Sequence, residues 1–352
     1  MTQVFLIGVP QPCGGGNVEG GETALLWRRM GIEVTCLYFS NCRCGRPVTA
    51  PHSDANPWVR RLTDAGVRFV AGTSDRLREV PGLAGSTLSA FCVSHAMHNW
   101  PEMAGMGCRI VWSPCMTYFT PAEAVAFHAA PPTMVHFQSR YQRQALQSHY
   151  ETFGCRDFAT MPGVFWPLEF LPRRYCANET FVIGRLARAD RTKWSKDLWS
   201  ILGEVRSRGV SVHAMCQGWG PQLSEQCGTP PSWASCFPER SIHTPLFLLN
   251  CHVLMCCNRE DTKENWPRVG LEAMSAGVPL VVDDSGGWPE QIGDAGLLCN
   301  SPAEYVDALV RLGTDEAWRQ ELIARGEKRI LEIADPEALS AKWMQVFSMV
   351  SG

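Results

Sequence analysis

Two glutamates eight positions apart, Glu264 and Glu272, stand in ENWPRVGLEAMSAGVPLVVDD, residues 264–284. Pro267 suits the first turn of a helix, Gly277 suits its C-terminal cap, and Val278, Leu280, Val281 and Val282 suit a buried parallel strand. Glu264 then falls in the loop ahead of the helix and Glu272 falls on the helix itself. An ionised carboxylate only accepts hydrogen bonds, and accepting two vicinal hydroxyls is the usual way to hold a ribose or a hexose. A helix N-terminus attracts phosphate. Two acids flanking such a site would suit a sugar nucleotide, whereas either acid alone reads as a solvated helix-end carboxylate.

A glycine-rich stretch carries a second, weaker signal. In GVPQPCGGGNVEGGETALLWRRMGIEV, residues 8–34, a strand is expected to run through a glycine-rich loop into a helix, so that backbone N–H groups can approach a phosphate. The spacing is neither a dinucleotide fingerprint nor a Walker loop. Alone, it also fits a surface turn.

The elements that would position these groups are legible along the chain. The apolar runs QVFLIGV, IEVTCLYF, VRFVAG, LSAFCVS, CRIVWS and TMVHFQS read as strands in the first half, and TFVIGRL, VSVHAMC, CHVLMCC, VPLVVDD and AGLLCN in the second. Amphipathic helical stretches alternate with them. Continuous apolar strands separated by helices imply parallel sheets covered on both faces. Pro162, Gly163, Pro167 and Pro172 interrupt the rhythm and mark a linker. The expected organisation is an N-terminal domain over 1–172, a second over 173–335, and a C-terminal helix over 336–352 that packs back on the first. Asp335 and Pro336 form the start signal of that helix.

Composition narrows the function classes. The chain has 352 residues, 45% hydrophobic and 19% charged, with a net charge of −3, so its surface carries no strong single sign. Nucleic-acid binding, which needs a basic field, is not expected. The opening residues lack a basic start, and no apolar run approaches the roughly 20 residues that span a bilayer. The expectation is a cytoplasmic protein, with contact to a peripheral membrane surface left open. Most of the 16 cysteines lie in apolar runs and read as reduced, buried thiols. Cys42 and Cys44 could ligate a metal, but no second pair follows at finger spacing, so a loop with two thiols is the better reading.

The first stretch closely resembles the signature of retaining glycosyltransferases of family 4: glutamate, seven residues, glutamate, then AMSAGVPLVVDDSGGWPE. FVIGRLARADRTKWSKDLW resembles the strand, loop and helix that open that family's nucleotide-binding domain with a Gly-Arg pair and a later lysine. HFQSRYQRQALQSHY resembles the strand and helix before its interdomain linker. The resemblance covers most of the chain, strongly in the second half and loosely in the first.

It implies an α/β protein of the GT-B fold, with two Rossmann-like domains whose parallel sheets face one another across a cleft. The implied reaction moves a hexosyl group from a UDP- or GDP-linked sugar to an acceptor with retention of configuration. No metal and no cofactor besides the donor substrate are implied, because two cations can meet the charge on a departing diphosphate. By position these are Arg185 and Lys193, with Arg191 a weaker candidate and Arg188 an exposed loop cation. Trp194 stands where the family often has glycine after the lysine. The implied catalytic set is Arg185, Lys193 and Glu264. The implied donor-binding set adds Gly20, Gly21, Gly184, Asn265, Trp266, Pro267, Arg268, Val269 and Glu272. Asp283 and Asp284 end a strand and are assigned a structural or loop-positioning role.

Two departures bear on specificity. Many family members carry a histidine near the transferred sugar, where this chain has Cys115, and a thiol cannot replace a neutral imidazole as a partner. His95 and His98, after the preceding strand, are the candidates for that role. Pro267 donates no N–H where backbone amides often bind sugar hydroxyls, which leaves the hexose undecided. The acceptor, whether glycan, lipid or small molecule, and the oligomeric state are not specified. The alternatives are a non-catalytic sugar-nucleotide-binding module and an epimerase or hydrolase on the same architecture.

Overall fold

The computed structural model describes residues 3–11, 15–41, 56–92, 94–167 and 180–351. The chain divides into two compact units, Met1–Phe165 with Asp335–Gly352, and Trp166–Ala334. Cys42, Cys44 and the boundary expected at 172/173 lie outside the described residues.

The first unit is built on a sheet of seven described strands: β1 (Gln3–Ile7), β2 (Glu33–Asn41), β3 (Arg68–Thr73), β4 (Thr87–Phe91), β5 (Arg109–Ser113), β6 (Met134–Phe137) and β7 (Asp157–Thr160). Its order is β3-β2-β1-β4-β5-β6-β7, and every pairing is parallel. Every residue of β4 and β6 is buried, as expected for central strands with helices on both faces. The order runs outward in both directions from the β1–β4 junction. That junction is the topological switch point, where the loops at the strands' carboxyl ends diverge and leave room for a ligand.

The last helix, Pro336–Ser351, is part of this unit. Its Trp343 meets Trp27 edge to face at 4.9 Å and its Phe347 packs on the same ring at 5.4 Å. Trp27 and Trp343 are both fully buried. Each tryptophan removes about 150–250 Å² from water, an upper-bound contribution of roughly 4–6 kcal/mol. These two rings are therefore enough to fix the helix on the unit.

The second unit repeats the plan with β8 (Phe181–Leu186), β9 (Val212–Gln217), β10 (Ala234–Phe237), β11 (Val253–Cys256), β12 (Leu280–Asp283) and β13 (Gly296–Cys299). The order is β10-β9-β8-β11-β12-β13, again parallel throughout, with its switch point between β8 and β11. Both sheets are Rossmann-like.

Two described strands go beyond the sequence reading. β7 and β10 each have four residues, lie at a sheet edge and have no fully buried position. An edge strand packs one flank only, so DFAT and ASCF carry no continuous apolar run for a pattern to reveal. Among the described residues no helix is long and apolar enough to cross a membrane.

Candidate functional site

Arg185 is the next-to-last residue of β8, and Asn258 follows β11 by two positions, so the two flank the switch point of the second sheet. Arg185 is 4% exposed, and its guanidinium lies over the Trp194 ring, 5.2 Å from its centroid. Its Nη2 donates to the Asn258 Oδ1 at 3.0 Å and to the Lys193 carbonyl. A buried guanidinium is tolerated only when such acceptors replace water. Trp194, at the position where the family often has glycine, therefore forms the apolar floor beneath Arg185.

Lys193 ends a short 3-10 turn over Arg191–Lys193, which Asp190 caps by accepting the Thr192 amide at 2.9 Å. The Lys193 Nζ donates to the Glu264 Oε1 at 2.7 Å. Both side chains keep about a fifth of their surface, 20% and 19%, so this ion pair is accessible where Arg185 is not. The Asn258 Nδ2 reaches the same Glu264 oxygen at 3.3 Å. Arg185, Lys193 and Glu264 thus form one connected group with Asn258 as its hinge. Arg191 turns away to pair with Glu225, and the exposed Arg188 lies near Asp190.

Asn258 is held in turn from below. Its backbone N–H donates to the Asp283 Oδ2 at 3.1 Å, while the Tyr305 hydroxyl lies 2.9 Å from the Asp283 Oδ1 and 3.0 Å from the Cys256 carbonyl. Burial pushes the Asp283 carboxyl above its ordinary range, against the Asn258 and Tyr305 hydrogen bonds, which favour the charged form. Asp284 is exposed and accepts from Asn300 at 3.1 Å.

The loop bearing Glu264 is fixed by two glycines that sequence reasoning did not single out. Gly286, at φ +65°, lies so close that a Cβ would come 2.3 Å from the Glu264 carbonyl oxygen. A Cβ on Gly287 would come 1.5 Å from the Asn265 carbonyl oxygen, and the Gly287 amide donates to the Glu264 carbonyl at 2.8 Å. Only glycine allows these backbones to meet. The consecutive glycines in DSGGWPE were the available signal.

Pro267 is the N-cap of the helix Arg268–Ser275, one position earlier than the sequence suggested. Gly277, at φ +67°, closes the other end: its amide donates to the Met274 carbonyl, and that of Val278 donates to the Ala273 carbonyl at 2.9 Å. This is the Schellman arrangement. On the helix, the Arg268 Nε lies 3.3 Å from the Glu272 Oε1, one turn away, with both side chains mostly covered. Asn265 is buried, and Trp266 and Val269 are half-buried beside them. Gly184 packs against Cys251 inside β8, where a Cβ would come 2.4 Å from the thiol, so its smallness serves the sheet.

Residues 177–315 match the family model described as glycosyl transferases group 1. That stretch contains the whole cluster around Asn258. Among solved structures, the chain is similar to Anabaena Alr3699/HepE in complex with UDP-glucose, at 16% identity and TM-score 0.72 over 99% of this chain and 100% of that one. It is also similar to sucrose-phosphate synthase from Thermosynechococcus elongatus, at 14% identity and TM-score 0.73 over 99% of both chains. A glycosyltransferase from Rickettsia africae ESF-5 matches at 10% identity and TM-score 0.70, over 99% and 98%. The fold is that of GT-B glycosyltransferases. No curated protein matches the chain in sequence.

In the first unit of this GT-B chain, the expected residues sit differently. The first helix, Gly15–Arg29, already includes Gly20 and Gly21, which were expected in a phosphate-approaching loop. Gly21 lies against Trp58, where a Cβ would come 2.6 Å from the ring, whereas a Cβ on Gly20 would meet Phe91 at 3.4 Å, an ordinary contact. The glycine-rich composition signals a loop, but the smallness of Gly21 serves helix packing. His98 is exposed on the short helix Ser94–His98. His95 belongs to the same helix, and its side chain lies outside the described residues. Cys115 is half-buried and hydrogen-bonds to the thiol of Cys92.

Two buried polar groups of this unit have structural partners. The His136 Nδ1 lies 2.9 Å from the Ser113 Oγ, and its Nε2 lies 3.1 Å from the Met161 carbonyl. Burial lowers its pKa to about 4, so the ring is neutral at ordinary pH. Glu123 accepts from the Trp112 indole at 2.9 Å and from the Tyr150 hydroxyl at 2.7 Å.

Proposed function

We propose that the protein is a retaining, metal-independent glycosyltransferase that moves a hexosyl group from a UDP- or GDP-linked sugar to an acceptor. The observation that carries this reading is the convergence of Lys193, Arg185, Glu264 and Asn258 at the switch point of the second sheet, inside the stretch matching the group 1 model. Similar folds are described with UDP and UDP-glucose bound, which supports a nucleoside-diphosphate sugar as donor.

In this reading Lys193, the accessible cation, meets the diphosphate. As the glycosidic bond breaks, negative charge grows on the leaving phosphate oxygen, and a fixed cation there stabilises the transition state more than the ground state. Arg185 raises the local positive potential from beneath and holds the Lys193 backbone. Glu264, bonded to Lys193 and Asn258, presents its remaining lone pairs to sugar hydroxyls. Glu272 accepts the ribose hydroxyls, with Arg268 paired to it from one turn away.

Thermal unfolding with UDP, GDP and their sugar conjugates tests the donor assignment, since a ligand at one hundred times its dissociation constant should stabilise by about 2.7 kcal/mol. Turnover of the best binder, with water as default acceptor, is expected to persist in excess chelator. Loss of turnover in chelator, restored by a divalent ion, would overturn the metal-independent scheme.

A further inference from the structure

The switch point of the first sheet holds a pair of thiols. Cys92 follows β4 directly, and Cys115 lies two residues beyond β5, the neighbouring strand. Both converge on one acceptor: the Cys92 amide donates to the Ser113 carbonyl at 3.0 Å, and the Cys115 Sγ lies 3.7 Å from the same oxygen. The two thiols also hydrogen-bond to one another. Cys115 is enclosed by the turn that opens the first helix, where a Cβ on Gly16 would come 2.8 Å from its Sγ and 3.7 Å from the Cys92 Cβ. Cys92 is the exposed member, and its backbone has φ +48°, a conformation uncommon for a residue with a side chain.

We infer that Cys92 and Cys115 form a dithiol modification site, with Cys92 the thiol that reacts with a hydroperoxide and Cys115 the thiol that resolves it. The chemistry of the pair is asymmetric in the required sense. The interaction between the thiols lowers the pKa of the exposed Cys92, while the same interaction, with burial, pushes Cys115 up. Cys92, exposed and with its pKa lowered, is therefore the partner that more readily becomes the thiolate, which is the nucleophile.

The thiolate attacks the peroxide oxygen and breaks the O–O bond. Cys92 becomes a sulfenic acid, and the departing alkoxide or hydroxide takes a proton to leave as alcohol or water. The Cys115 sulfur then attacks the Cys92 sulfur, an S–S bond forms, the S–OH bond breaks, and the Cys115 proton leaves with the hydroxide as water. Two thiols are oxidised by two electrons and one hydroperoxide is reduced by two. A dithiol reductant reverses the change by exchange. Because the site lies at a switch point, the modification falls where a ligand of this unit would approach.

The test is peptide mapping of the intact chain after titration with hydrogen peroxide. Trypsin cleaves after Arg78, Arg109 and Arg140, so the expected product joins residues 79–109 to residues 110–140, and fragmentation separates Cys92 from Cys108 in the first peptide. This bridge should appear at lower peroxide than any other cysteine oxidation and vanish with dithiothreitol. In Cys115→Ser, dimedone should label Cys92 as a trapped sulfenic acid. In Cys92→Ser, neither bridge nor label should form at Cys115 over the same range. A bridge to Cys108, preferential labelling of Cys115, or oxidation of Cys92 no faster than of the buried thiols would each overturn the assignment.

Discussion

The two units share a strand order and differ in what they place at its break. In the second, the carboxyl ends of β8 and β11 gather an arginine, a lysine, a glutamate and an asparagine joined by hydrogen bonds. In the first, the ends of β1, β4 and β5 gather two thiols, Gly16 and a Ser113–His136 pair buried beneath, with the carboxylates of Glu19 and Glu123 close enough to act on the thiols. A parallel sheet of this order opens a crevice wherever the order reverses, whatever the side chains. Function is then set by the residues just past the strands, as it is for any fold hosting several chemistries. The second crevice carries the cations that the proposed diphosphate donor would need.

The sharpest way to break this contrast is to discharge the second crevice. Lys193→Ala should lower turnover about 100- to 1000-fold, or roughly 2.7 to 4 kcal/mol in the barrier, with a much smaller loss of sugar-nucleotide binding. Arg185→Ala should lower turnover at least as far, but it also leaves the Asn258 Oδ1 and the Lys193 carbonyl without their donor, so a fall in thermal midpoint should accompany it. Steady-state kinetics beside calorimetry separate the two. An active parent whose rate is indifferent to Lys193→Ala would sink the catalytic assignment.

In the first unit the corresponding probe is acid. His136 has its folded pKa depressed to about 4 by burial, below the 6.5 of an unhindered imidazole. The neutral ring's contribution is complete above the unfolded value and is lost as pH falls from there towards the folded one. The loss approaches about 3 kcal/mol. His136→Gln should remove that part of the acid sensitivity, measured as the pH dependence of the thermal midpoint relative to the parent. An unchanged slope between about pH 6.5 and 4 would contradict a buried neutral ring.

Smaller in scale is the ribose contact. Glu272→Ala should weaken binding of the free nucleoside diphosphate by about 1.5 to 3 kcal/mol, roughly ten- to over a hundredfold. Arg268→Ala should weaken it less, since Arg268 acts on Glu272 across one helical turn. Titration calorimetry with the diphosphate alone decides the matter, and equal affinity of Glu272→Ala and parent would disprove the ribose role.

How far all this could be read from sequence follows from where each residue lies along the chain. Glu264, Glu272, Gly277 and the strand after them occupy one contiguous stretch, so helix, cap and strand each left a local mark. Arg185 and Lys193 stand eight apart on one strand and turn, and they too could be found. Asn258, Gly286, Gly287 and Tyr305 reach the same place from separate segments. Tyr305 occupies an apolar position of the amphipathic helix Pro302–Thr314, and nothing local distinguishes it from a core aromatic. Gly21 shows the opposite failure: a glycine-rich composition suggests a loop, but contact with Trp58 requires a small residue within a helix.

The smallest expected effect tests whether the scaffold beneath Asn258 matters. Tyr305→Phe removes one hydroxyl that serves the Asp283 Oδ1 and the Cys256 carbonyl, and should cost about 0.5 to 1.5 kcal/mol. Its sign with pH is specific. Burial raises the folded pKa of Asp283 above its ordinary 3.8, so the folded state binds the proton more tightly and this group's contribution to stability declines as pH rises through the raised value. The Tyr305 hydrogen bond favours the charged form, so removing it raises that pKa further and extends the decline to higher pH. The gap in thermal midpoint between parent and Tyr305→Phe should therefore widen as pH rises from about 4 and then level off. A gap constant over that range would mean that the hydroxyl serves Cys256 alone, and that Asp283 holds the Asn258 amide without it.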